Sequence, residues 1–166
     1  MSTTLPSASD IQQLLDTVCD PEIPVLTISD LGIVRDVRIH PDGEVEVVIT
    51  PTYSGCPAMQ TIEVNIRAAL QAGGHDRVRV STVLRPAWTT DWLSASGREK
   101  LRQFGIAPPA EASHDKAALM GEKRMLRCPQ CGSEHTEMIS QFGSTACKAL
   151  FRCLDCREPF DYFKCH

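Results

Sequence analysis

The sequence predicts an α+β fold: a small two-layer α-β-β-α-β-α domain followed by a short β ribbon. Three observations predict it. Apolar residues fall at helical spacing in some segments and alternate with polar residues in others. A His-Pro-Asp-Gly turn, residues 40–43, joins two of the alternating runs. Only Cys19 and Cys56 of the 8 cysteines precede residue 128. Cys128, Cys131, Cys147, Cys153, Cys156 and Cys165 crowd a segment so short that a hydrophobic core alone usually fails to hold it, roughly 40 residues.

Ile11, Leu14, Leu15 and Val18 recur at i, i+3, i+4 and i+7, the stripe of an amphipathic helix that Pro21 and Pro24 end. Cys19 falls just beyond that stripe and is expected to pack within the helix. Residues 33–39 (IVRDVRI) and 44–50 (EVEVVIT) form β-rich runs, an antiparallel hairpin about the Pro41-Asp42-Gly43 turn. From Pro57, Met59, Ile62, Ile66 and Ala69 or Leu70 return to helical spacing, and Gly73-Gly74 supplies a left-handed stop. Residues 77–84 (RVRVSTVL) alternate as a third strand, and a short helix over 94–104 ends at Gly105. This reading sets the first domain at 1–105, a Pro- and Ala-rich linker at 106–124 and the cysteine-bearing ribbon at 125–166.

Lys and Arg number 17 against 21 Asp and Glu, a net charge of −4, which argues against a polybasic nucleic-acid or membrane-surface binder. Apolar residues at 42% and charged residues at 23% match an ordinary globular mixture rather than a disordered one. Residues 1–10 carry no Lys or Arg and no apolar run of signal-peptide length, and no stretch reaches the roughly 18 apolar residues of a membrane span. The expectation is a cytoplasmic protein. In a reducing cytosol clustered thiols serve metal binding or redox chemistry more often than structural disulfides.

Cys128-Pro-Gln-Cys131-Gly and Cys153-Leu-Asp-Cys156 are two knuckles whose thiolates turn back towards one ion. Zn²⁺ takes four such sulfurs in a tetrahedron at about 2.3 Å, so the spacing predicts a four-cysteine zinc ribbon. A mononuclear iron site uses the same ligands, and spacing fits either metal. His135 is expected on the ribbon surface, because four thiolates fill the tetrahedron.

Cys147 and Cys165 have two readings. A hairpin folded symmetrically about Cys156 sets Cys147 opposite Cys165 and Lys148 opposite Lys164, a second thiol site that His166 could join. In the other reading they are small buried hydrophobes, and a slip of one residue would put the side chains on opposite faces.

Cys56 stands at or next to the N-cap of the second helix, with Pro57 at the helix start. Exposed amides and the helix dipole favour a thiolate there, for metal binding or nucleophilic attack. Asp20 and Glu22, in the Asp-Pro-Glu-Ile-Pro segment, read from composition alone as carboxylates at a helix end.

DPEIPVLTISDLGIVRDV followed by TPTYSGCP resembles the metal–sulfur cluster assembly domain family, small α/β proteins connected with iron–sulfur protein maturation. The resemblance covers about residues 10–85 and implies a surface site of Asp20, Glu22, Thr50, Thr52 and Cys56. Residues 86–109 (PAWTTDWLSASGREKLRQFGIAPP), then CPQCGS, FGSTACKALFRC and EPFDYFKCH, extend it to a group in which this domain is fused to a zinc ribbon and serves the phenylacetyl-CoA 1,2-epoxidase system of aerobic phenylacetate degradation. That system is a di-iron oxygenase fed by a reductase carrying flavin and a [2Fe–2S] centre.

The chain has no Glu-x-x-His pairs for a di-iron site, no Gly-rich dinucleotide loop and no plant-type ferredoxin cysteine spacing. The resemblance thus implies a non-catalytic maturation factor that handles a transient iron or iron–sulfur cluster for the oxygenase or reductase. Cys56 would be its transfer thiolate, Asp20 and Glu22 its hard ligands or local base, and the ribbon its structural docking surface. The competing reading is a structural or coupling component that binds the oxygenase or reductase through Trp88, Trp92, Phe160, Tyr162 and Phe163, although Trp88 and Trp92, four apart, read first as core or hinge packing.

Overall fold

The structure, a computed structural model, describes residues 7–109 and 126–164. Its Cα packing divides the chain into Met1–Trp88 and Thr89–His166.

In the first unit, helix α1 (Ala8–Leu15) opens on a reciprocal cap: the Ser7 hydroxyl accepts from the Asp10 amide, and the Asp10 carboxylate accepts from the Ser7 amide. Ile11 and Leu15 are fully buried beneath it. The Thr17 and Val18 amides reach back only three residues, to the Leu14 and Leu15 carbonyls, which tightens and ends the helix. Cys19 therefore lies outside α1. It is exposed and bridges to Thr27, not packed in a helix as the apolar stripe suggested.

Strands β1 (Val34–Ile39) and β2 (Val45–Ile49) form the antiparallel hairpin. Helix α2 (Ala58–Ala72) then crosses over to β3 (Val78–Thr82), which lies parallel to β2, giving the order β1-β2-β3. Val45, Val47 and Ile49 alternate towards the core, while Ile62, Ile66 and Leu70 line α2 at four-residue spacing with zero exposure. Burying each such side chain contributes about 1.5–3 kcal/mol. Glu46 points from β2 to the other face, where it accepts from Ser81 at 2.7 Å and pairs with Arg38 and His40.

In the second unit a 3-10 turn (Thr90–Trp92) leads to helix α3 (Ala95–Gln103), capped by the Ser94 hydroxyl. Strands β4 (Ile106–Ala107), β5 (Thr136–Ser140), β6 (Lys148–Cys153) and β7 (Pro159–Phe163) make one sheet in the order β4-β7-β6-β5. Ala107, Leu126, Ala149, Phe151, Phe160 and Tyr162 form its core, with Phe151 edge-on to Tyr162.

Two expectations about organisation change. The first unit ends at Trp88 rather than residue 105, because Ile106 and Ala107 pair in parallel with Asp161 and Tyr162 of the ribbon sheet. Arg98 of α3 further ties the Thr90 and Pro109 carbonyls together. The segment read as linker thus begins as a strand, and residues 110–124 of it lie outside the described residues. The coupling reading also loses its exposed aromatics: Phe160, Tyr162 and Phe163 are buried, while Trp88 is buried and Trp92 half-buried, in keeping with their reading as core or hinge packing. The Trp88 indole donates to the Leu31 carbonyl at 2.7 Å.

The β6–β7 register is one residue away from the expected one. Lys148 faces Phe163, not Lys164, and the Lys164 amide donates to the Cys147 carbonyl. Arg152 pairs with Pro159 and the Cys153 amide reaches the Glu158 carbonyl, so the turn is the even loop 154–157 instead of a turn centred on Cys156. Arg157 closes it at φ 65°. The expected partners Cys165 and His166 lie outside the described residues. Cys147 is buried, 3.0 Å from the Thr145 hydroxyl. Gly143 is packed closely nearby: a Cβ there would sit 2.7 Å from Asp161 Oδ1, so the Asp161 carboxylate would have to shift to admit one.

Candidate functional site

The four knuckle cysteines converge. The Cys128 amide donates to the Ser133 carbonyl and the Gly132 amide to the Cys128 carbonyl, both at 2.8 Å, folding the first knuckle, with Gly132 at φ 75°. The second knuckle is the β6–β7 turn. Cys128 and Cys156 sulfurs lie 3.7 Å apart, Cys131 and Cys153 sulfurs 3.6 Å, and all four fall within 4.8 Å of one another. A tetrahedron with metal–sulfur bonds of about 2.3 Å has sulfur–sulfur edges of about 3.8 Å, so the set fits a four-thiolate metal ion.

Its electrostatics suit a cation. The backbone amides of Cys156 and Asp155 pull Cys153 down to about 6. The Glu158 amide pulls on Cys156 in the same sense, but desolvation and the thiols of Cys153, Cys131 and Cys128 outweigh it and push Cys156 up to about 12. Four crowded thiols cannot all ionise unaided, whereas a bound cation makes every one a thiolate. Outside the ligand set, Asp155 accepts from Ser133 and lies 3.4 Å from His135 Nδ1, which leaves His135 exposed at the ribbon surface.

The first unit carries the other candidate residues. Asp20, 9% exposed, accepts the Glu22 and Ile23 amides on its Oδ1 at 2.7 and 2.8 Å, while its own amide donates to the Leu26 carbonyl. The Asp20 carboxylate therefore folds the Asp-Pro-Glu-Ile-Pro loop. Glu22 is half-buried beside it in sequence. Asp30, passed over in the sequence, repeats the device: it is 7% exposed and accepts the Thr27 amide and hydroxyl. The Thr-x-x-Asp spacing of 27–30 was the signal for it.

Thr50 follows β2 with its amide on the Ile33 carbonyl, and its hydroxyl is buried without a hydrogen-bond partner. Thr52 and Cys56 are half-buried in the loop to α2, where Gly55 at φ 83° turns the chain. Pro57 is the N-cap of α2 and offers no side-chain cap, so Cys56 stands immediately before the helix. Among the described residues, the ribbon cysteines are the one group of three or more His, Cys, Asp or Glu ligand atoms gathered within 4.8 Å. Asp20, Glu22 and Cys56 do not form such a group.

Residues 8–82 match the family model described as an iron–sulfur cluster assembly protein, and residues 112–164 match the PaaD zinc beta ribbon domain. An Escherichia coli K12 protein, named as the D component of a 1,2-phenylacetyl-CoA epoxidase, is 53% identical over 96% of this chain and 94% of its own. A Porphyromonas gingivalis protein named Fe-S protein maturation auxiliary factor is 36% identical over 54% of this chain and 86% of its own. A crystal structure of a domain of unknown function from Bacillus anthracis, 25% identical, superposes with a TM-score of 0.53 over 56% of this chain and 89% of its own. Together with the four-cysteine geometry, the near end-to-end match means that the chain belongs to the family of the Escherichia coli epoxidase D component, an iron–sulfur cluster assembly domain joined to a metal-binding zinc ribbon.

Proposed function

We propose that the chain is a maturation factor for the phenylacetyl-CoA epoxidase system of aerobic phenylacetate degradation, assisting assembly of the iron or iron–sulfur centre of its oxygenase or reductase. The observation that carries this reading is the 53% identity to the Escherichia coli epoxidase D component over 96% of the chain, with an assembly-protein match in the same chain.

The first unit supplies a site for the cargo, and Cys56 is its transfer thiolate. The step is ligand exchange: the Cys56 sulfur replaces one ligand of the iron, and a client thiol then displaces Cys56 while releasing its proton. No electron changes hands. The orphaned Thr50 hydroxyl supports a polar guest near this end of β2, because a buried hydroxyl left unpartnered costs about 1–3 kcal/mol. The ribbon ion, zinc or iron on the same four thiolates, is structural, since the closed site leaves no open position for Lewis-acid chemistry.

The coupling reading loses its surface, because four of its five aromatics are buried. Cys56→Ser tests the role. The variant should fold and keep its ribbon metal, yet epoxidase activity in cells carrying it should fall and return when the purified client is reconstituted with iron and sulfide. Full epoxidase activity in those cells would defeat the role of Cys56.

A further inference from the structure

Strand β5 is the edge of the ribbon sheet, and its outer side has no neighbouring strand among the described residues. None of its side chains is buried. A bulge between Met138 and Ser140 leaves Ile139 without a partner in β6, and Met138 and Ile139 are 57% and 52% exposed. A regular strand would turn one of two adjacent apolar residues towards its core; the bulge keeps both out. Phe142, just beyond the strand, is 64% exposed. Lys164 lies 4.3 Å over its ring and donates to the Gln141 carbonyl at 2.9 Å. No carboxylate among the described residues pairs with Lys164, whereas Glu137 of β5 is already neutralised by Arg152.

An edge strand is normally protected by charges or by a cover, yet this one presents three large apolar side chains, an outer side with no neighbouring strand among the described residues, and beside them an ammonium with no carboxylate partner among those residues. We propose that β5 is the docking edge for an extended segment of another protein, added as a further strand, with apolar side chains against Met138, Ile139 and Phe142 and a carboxylate reaching Lys164. Main-chain hydrogen bonds hold the segment, and the apolar contacts with the Lys164 charge select it. The bulge disfavours a second copy as occupant, because symmetric pairing would set two bulged edges against each other.

The test pans a random dodecapeptide library against the full zinc-loaded chain. Enriched peptides should carry alternating apolar residues and at least one Asp or Glu, and their binding should slow amide exchange in 136–140. Affinity should fall at least tenfold in Ile139→Thr, in Phe142→Ser and in Lys164→Glu, and a Lys-for-Glu peptide should recover binding to Lys164→Glu. All three positions are at the surface, and zinc content and thermal midpoint check that each variant folds. Absence of enrichment, or peptides that bind all three variants equally, overturns the proposal. Concentration-dependent dimers abolished by Ile139→Lys also overturn it, since the edge would then serve a second copy.

Discussion

The sulfur of Cys131 lies 3.6 Å from that of Cys153, although the two belong to different knuckles and Cys153 is itself part of the ribbon's buried core. Core and metal site are therefore one structure. Extracting the metal with a chelator should loosen β5, β6 and β7 while the first unit keeps its own core. Limited proteolysis read by mass spectrometry should show new cuts in the second unit and none before Trp88, and unchanged protection of 126–164 would count against a structural ion. Cys153→Ser should give the same pattern without chelator.

Asp20 should matter to the fold of its own loop. Asp20→Ala strands two amides in a nearly buried turn and should cost about 1–3 kcal/mol in urea unfolding. Asp20→Asn keeps an acceptor and should cost less. Equal stability of the alanine variant and the parent would refute the loop-folding role.

Thr50 separates stability from function. Its hydroxyl is buried and unpartnered, so Thr50→Val, close to isosteric, should leave stability unchanged or raise it by about 1–2 kcal/mol. If the hydroxyl serves a guest at the loop site, the same variant should support client maturation less well. A destabilised Thr50→Val would mean the hydroxyl is satisfied in the folded protein.

Acid should weaken the outer face of the first sheet. The Ser81 hydroxyl, then His40, Arg79 and Arg38, hold the Glu46 carboxyl below the usual glutamate range. A depressed carboxylate lends stability in full above its unfolded-state pKa and loses it as pH falls through the lower folded-state value. The urea midpoint of the first unit should therefore drop on acidification below the ordinary glutamate range, and Glu46→Gln should flatten that part of the curve.

Much of this was legible in the chain. Periodicity located α1, α2 and the three strands of the first sheet, because each element buries one face against a single core and its pattern is local. The knuckles were legible for a similar reason: two residues between cysteines fix a tight turn. The boundary at Trp88 was not legible, since it depends on Ile106 and Ala107 finding β7, a pairing that two residues of sequence cannot announce. The β6–β7 register failed on one residue of turn length, because Arg157 takes a left-handed conformation without being a glycine. Asp20 looked like a helix-ending carboxylate or a ligand; its grip on two amides of its own loop needed coordinates.

Strand β4 sits at one margin of the ribbon sheet although it precedes every other strand of that sheet in the chain. During synthesis Ile106 and Ala107 leave the ribosome well before Asp161 and Tyr162, their partners in the ladder among the described residues. The sheet's interior, centred on Phe151 and Tyr162, thus stays open to water until β7 has been made, while the first unit has had all of its strands available since residue 82. Translation therefore completes the strands of the first unit before those of the ribbon sheet, so the first unit can fold while the ribbon still waits for its last strand.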